Sequence, residues 1–340
     1  MEQILKSRYR IGEKISENPF SLTYRGFLIG TDKPVIVKIY KRGTLNSALI
    51  SSMKQRVREF SLIGHHGIAK LLDGDYGWQG FYYVREFVEG RNLQEVLGKE
   101  KKIDAEKACA VAGQILEVLE QTHARGIIHG ALKPNNIFVD SQGFIKLTDF
   151  VIEGEVKESM PQKVVEIMEN ARYASPEGIA GQPVTPAADL FSLGLILYEM
   201  VSGGTALTGG LAGNIQKLKL LPSLLKQEFS SLPRYLEEII SKAVQKDPRL
   251  RFATAREFRE SLEGKNLVRK TSGDGEYLKI FESAVTQYGG EEIDKESEAL
   301  QDVGRLQLRW SKEKHRTWIL SAVVGLAVVL GILYAFFFGR

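Results

Sequence analysis

The chain has 340 residues, 43% hydrophobic and 26% charged, so it can bury one large core or two modest lobes and is not disordered throughout. Its 46 Lys and Arg against 42 Asp and Glu leave a net charge of +4, with cations and acids interleaved, which argues against a nucleic-acid-binding surface. A single cysteine, Cys109, excludes an internal disulfide framework and fits a reducing compartment.

The first residues, MEQILKSRYRIG, lack the apolar core of a secretory signal, so the following domain is expected in the cytoplasm. From residue 9 to 90, short alternating runs rich in Val, Ile, Tyr and Phe (FSLTYRGFLI, PVIVKIY, IAKLLDGDYG, FYYVREFV) predict a small, mostly antiparallel sheet with one helix around residues 46–64. Beyond residue 92 the pattern turns helical, and Cys109 falls in the apolar run AEKACAVAGQILEVLEQTH, where a small buried thiol is expected. The polar stretch GKNLVRKTSGD marks a domain exit, and residues 265–316 read as a linker and charged helical stalk. From Trp318 to Phe338 there is no charge over about 21 residues, enough helix to cross a hydrocarbon core of roughly 30 Å, so residues 317–338 are expected to span a membrane. Lys312, Lys314, His315 and Arg316 lie just before it, placing the large domain on the cytoplasmic side. Ser321 and Gly325, then Ala327, Gly331 and Ala335, are spaced four apart and form a candidate helix-contact face.

Seven motifs occur in order: VIVK ending in Lys38, RVRE ending in Glu59, IIHGALKPNNIFV, IKLTDF with Asp149, YASPE, AADLFSLGLILYEMVSG and KDPRLRF. Over roughly residues 9–262 this order and spacing resembles a bacterial, eukaryote-like serine/threonine protein kinase. The resemblance implies an α+β bilobal fold, with an N-lobe over residues 1–90 and a mainly helical C-lobe over 91–264. It also implies roles: Lys38 for the nucleotide's phosphates, Glu59 as its ion-pair partner, and Asn136 and Asp149 as magnesium ligands. Glu177 and Arg251 match a buried pair in the larger lobe, Asp189 an acid that caps the catalytic loop, and His129 a member of the apolar column between the lobes.

Other positions depart from the family pattern. Gly130 and Ala131 stand where an Arg and the catalytic Asp follow the His, so the hydroxyl-orienting carboxylate is a methyl. Ser16, Asn18 and Ser21 occupy the three glycine positions of the phosphate loop, with Pro19 between them. Val151 replaces the glycine after Asp149 and Phe150, and Asn170 the threonine before YASPE. Ile36, Thr23 and Phe138 narrow the purine pocket, and Arg85 before the hinge is expected to compete for Glu59 or Asp149. The expectation that follows is a pseudokinase: not an enzyme, but an inactive, membrane-anchored scaffold or regulatory subunit with protein partners in a membrane complex. No obligatory cofactor is expected, although Lys38, Glu59, Asn136 and Asp149 leave room for ATP with magnesium. The competing expectation is a nucleotide-binding or weakly active serine/threonine kinase with displaced catalytic chemistry.

Overall fold

A computed structural model describes residues 4–150, 172–180, 182–207 and 232–266, all within the first of two compact units into which the chain divides after Val268. The expected span at 317–338, its stalk, and the face of Ser321, Gly325, Ala327, Gly331 and Ala335 lie outside the described residues. Among the described residues no helix is long and apolar enough to cross a membrane.

Six antiparallel strands form the first layer: β1 (Ile4–Leu5), β2 (Tyr9–Glu17), β3 (Ser21–Leu28), β4 (Lys33–Lys41), β5 (Leu71–Gly77) and β6 (Gly80–Glu86), in the order β1-β2-β3-β4-β6-β5. The two-residue period of β4 sends Val35, Val37 and Ile39 to one face, where they pack with Leu5, Tyr9, Tyr82 and Val84. Ile36, Lys38 and Tyr40 face the other way. Helix α1 (Ser47–Ser61), N-capped by the Asn46 side chain on the Leu49 amide, covers that second face with Leu49, Met53, Val57 and Phe60, a stripe at helical spacing.

The C-lobe begins with α2 (Leu93–Glu100) and α3 (Ala105–His123), capped by Asn92 and Asp104. A small sheet of β7 (Arg91–Asn92), β8 (Ile137–Val139) and β9 (Ile145–Leu147) carries the loop 129–136 on one side and Asp149 just beyond the other. Next come the short α4 (Pro176–Ile179) and α5 (Pro186–Ser202), then α6 (Arg234–Ala243) and α7 (Ala255–Glu263). Every residue from Ala188 to Val201 in α5 is buried, as its near-continuous apolar sequence requires, and the helix forms the axis of this lobe. Cys109 on α3 is half-buried, and burial pushes its thiol pKa up.

Two buried polar pairs tie the lobe together. Arg251 uses both terminal nitrogens on Glu177, at 2.7 and 2.8 Å, and spends its remaining donors on the carbonyls of Ala187, Gln245 and Lys246. Its guanidinium also lies over the Phe191 ring, 4.7 Å from the centroid. All donors are satisfied, so the pair avoids the cost of an uncompensated buried charge. Tyr173 donates to Glu199 at 2.5 Å, and Ser192 on α5 holds the Tyr173 carbonyl at 2.7 Å. Breaking the first pair by Arg251→Met is expected to cost about 3–5 kcal/mol, because Glu177 is left buried and charged. Urea unfolding measures this, and Glu177→Gln with Arg251→Met should cost less than the sum of the two single changes.

Candidate nucleotide and phosphoryl-transfer site

The catalytic-loop segment is held from below by one carboxylate. Asp189, in the first turn of α5, accepts the backbone N–H of His129 at 2.8 Å and of Gly130 at 2.9 Å, and contacts His123 Nε2 at 2.9 Å. Gly130 sits at φ 70°, a conformation that glycine takes without Cβ strain. Within the loop, Asn136 donates from Nδ2 to the Ala131 carbonyl at 2.9 Å. His129 lies under Phe150, ring centroids 4.3 Å apart, and Phe150 stacks on Phe60 of α1 at 5.1 Å, which links the two lobes through an apolar column. Buried Ala131 presents only a methyl.

Strand register sets the roof. Lys38 on β4 lies opposite Tyr83 on β6 and Thr23 on β3, and Ile36 lies opposite Arg85, so Lys38, Tyr83 and Arg85 share one face. All three converge on Asp149. Tyr83 donates its hydroxyl to Oδ1 at 2.7 Å, Arg85 Nε lies 3.4 Å from Oδ1, and Lys38 Nζ lies 3.6 Å from Oδ2. Asp149, two residues beyond β9, adopts φ 62°, in the left-handed region. Arg85 is 7% exposed, donates from Nη1 to the Glu86 carbonyl at 3.2 Å and lies over the Phe138 ring at 5.8 Å. The guanidinium therefore lies between Asp149 and Phe138, on the strand position opposite buried Ile36. As the sequence indicates, Arg85 competes for an acid, and the acid it reaches is Asp149.

Glu59 is not brought into this cluster. It is exposed, with Gln55 Nε2 at 2.8 Å and Arg56 Nη1 at 3.8 Å as its partners. The reason is helical geometry: α1 buries Val57 and Phe60, and the residue beside Phe60 points about 100° away from that stripe. Checking the motif acid against the stripe 49, 53, 57, 60 would have shown this from sequence. Tyr83 was missed for a related reason: its alternation with Arg85 on β6 was legible, but no family motif marks it.

The phosphate-loop segment is a tight turn between β2 and β3 that satisfies itself. Asn18 Oδ1 accepts the amides of Phe20 at 2.9 Å and Ser21 at 2.7 Å, and the Asn18 amide bonds the Ser21 carbonyl at 2.9 Å. Donors that could face a phosphate are occupied by a carboxamide oxygen, and Pro19 has none. A divalent ion at Asp149 does not fit the residues present. The carboxylate already faces two cations and a hydroxyl, and each unit charge about 4 Å from another costs or gains about 4 kcal/mol at an effective dielectric near 20. Among the described residues no group of three or more His, Cys, Asp and Glu is placed to hold a metal.

The protein kinase domain family matches residues 9–262, and the chain belongs to that family. It is 30% identical to a probable serine/threonine-protein kinase of Clostridium perfringens, over 77% of this chain and 38% of that one, and 26% identical to the serine/threonine-protein kinase PrkC of Bacillus subtilis, over 97% and 52%. The chain thus spans about two-fifths to one-half of the length of these curated relatives. A crystal structure of Rad53 residues 1–466 in complex with AMP-PNP matches 74% of this chain and 63% of that one at TM-score 0.59 and 22% identity, which supports the bilobal fold.

These findings correct the expectation drawn from Ala131 and the phosphate loop. A chain that is not an enzyme and serves only as an inactive scaffold is contradicted by its membership of the protein kinase domain family and by relatives named serine/threonine-protein kinases. The expectation combined Ala131 with the altered phosphate loop, Val151 and Asn170, and of these the missing general base by itself does not abolish the reaction. A general base contributes about 10²–10⁴-fold, a fraction of what positioning and electrostatics contribute to phosphoryl transfer.

Burial by itself raises the Asp189 carboxyl pKa, but the His123 hydrogen bond, the two imidazoles and the His129 amide outweigh it and hold the group below the ordinary carboxylate value. A depressed folded-state pKa stabilises fully above the unfolded value and is lost as pH falls through the folded one. The melting-temperature gap between the native chain and Asp189→Asn should therefore be widest near neutrality and close below about pH 4. For the turn, Asn18→Gly should free two amides and tighten binding of nucleotide, read as a lower dissociation constant by calorimetry.

Proposed function

We propose that the chain is a nucleotide-binding serine/threonine protein kinase of low turnover whose catalytic chemistry is displaced from position 131. The observation that carries this reading is the convergence of Lys38 on Asp149 at 3.6 Å, directly above a loop that Asp189 and Asn136 hold in shape. The names of the relatives supply the substrate class, serine and threonine hydroxyls.

In this reading Lys38 turns toward the phosphates and balances charge on the transferring group. The substrate hydroxyl oxygen bonds to the γ-phosphorus as the bond to the β,γ-bridging oxygen breaks, and the hydroxyl proton leaves to water or to the transferred phosphoryl oxygens. With a methyl at 131 nothing at that position accepts it, so turnover falls by about 10²–10⁴-fold but does not vanish. The uncharged run 318–338, preceded by Lys312, Lys314, His315 and Arg316, supports a place for the domain at the cytoplasmic face of a membrane, with Ser321, Gly325, Ala327, Gly331 and Ala335 as its helix-contact side.

Full-length chain given labelled ATP and a serine/threonine peptide should transfer label slowly; Lys38→Met should abolish transfer and Ala131→Asp should raise it by about a hundredfold. Native transfer indistinguishable from Lys38→Met would overturn the reading.

A further inference from the structure

Asp149 is already supplied with what a metal ion would give it. Tyr83 and Arg85 approach one carboxylate oxygen, at 2.7 and 3.4 Å, and Lys38 approaches the other at 3.6 Å. The three are not equivalent. Arg85 is buried, and its guanidinium donates to the Glu86 carbonyl and lies over the Phe138 ring, while Tyr83 is fully buried in the sheet. Lys38 makes the longest of the three contacts and, as a flexible ammonium, can swing.

Building on the nucleotide-binding reading of this site, we infer that Arg85 and Tyr83 take the place of a divalent cation at Asp149, so that the cleft binds a nucleoside di- or triphosphate without metal. An incoming polyphosphate draws Lys38 away, and Arg85 and Tyr83 keep the carboxylate neutralised and hydrogen-bonded when it leaves. A magnesium ion brings no comparable gain: it prefers anionic oxygens in octahedral array, and here it meets one carboxylate flanked by two cations. Asn136, the other magnesium ligand implied by the family, donates its Nδ2 to the Ala131 carbonyl and would offer a magnesium ion only a neutral carboxamide oxygen. Arg85 is thus a positioning residue: it balances the charge of Asp149 when Lys38 turns to the polyphosphate.

The test is calorimetric titration of the full chain with ADP and with ATP, in EDTA and in excess magnesium. Native affinities should agree between the two conditions within a factor of about two or three, whereas Arg85→Met should bind at least about tenfold more tightly with magnesium than without. Tyr83→Phe should shift the same way by less, and Arg85→Lys, which keeps the charge, should stay metal-independent. Thermal melts without nucleotide check that each variant folds. If Arg85→Met does not, manganese alone added to native chain, followed by its electron-spin resonance signal, decides: no binding supports the inference, and binding lost in Asp149→Asn overturns it. Tighter native binding in magnesium by tenfold or more, or an Arg85→Met variant indifferent to metal, also overturns it. Absence of nucleotide binding in both conditions would instead remove the nucleotide-binding reading, and this inference with it.

Discussion

One buried carboxylate organises the larger lobe. Asp189 sits at the start of the most buried helix and gathers two consecutive backbone amides and an imidazole, so the loop 129–136 cannot move without leaving donors and an anion unpaired in the interior. The loop's shape follows from that constraint: Gly130 turns at positive φ, His129 supports Phe150, and Phe150 reaches Phe60 in the other lobe. None of these contacts involves the side chain at position 131. The frame therefore does not depend on a carboxylate at that position, and buried Ala131 leaves the loop's hydrogen bonds in place.

Above the loop, the site has been rebuilt around Asp149. In the arrangement the family resemblance implies, Lys38 is shared between a helix acid and the phosphates. Here Glu59 lies on the outer side of α1, and Lys38, Arg85 and Tyr83 meet on Asp149 instead. The phosphate turn shows the same tendency, since Asn18 occupies amides that a phosphate would otherwise receive. Both changes replace a contact to ligand by a contact within the protein. They satisfy within the protein groups that the family resemblance assigns to a ligand.

Much of this was legible in the sequence where a local rule coincides with a tertiary need. The alternation of PVIVKIY put Lys38 on the face away from Val35, Val37 and Ile39, and the ordered motifs located the Glu177–Arg251 pair and the Asp189 cap. Motif spacing points Glu59 at Lys38, but the helical stripe of Leu49, Met53, Val57 and Phe60 decides which side of α1 faces the sheet and leaves Glu59 outside. At position 131 the residue identity is plain in the sequence, but how much Ala131, the loop at 16–21, Val151 and Asn170 together take from the reaction cannot be read from identity.

By itself the sequence determined the two-lobed order of strands and helices, through periods of two and 3.6 and through caps such as Asn46, Asn92 and Asp104, all of which depend on neighbours a few residues away. Only the tertiary structure decided where the charges went. Arg85 and Asp149 are 64 positions apart in the chain, and Lys38 and Asp149 are 111 apart. Which cation meets which acid depended on the register of β4 against β6 and on the turn at Asp149, and an ion pair is set by distance and burial that no local pattern encodes.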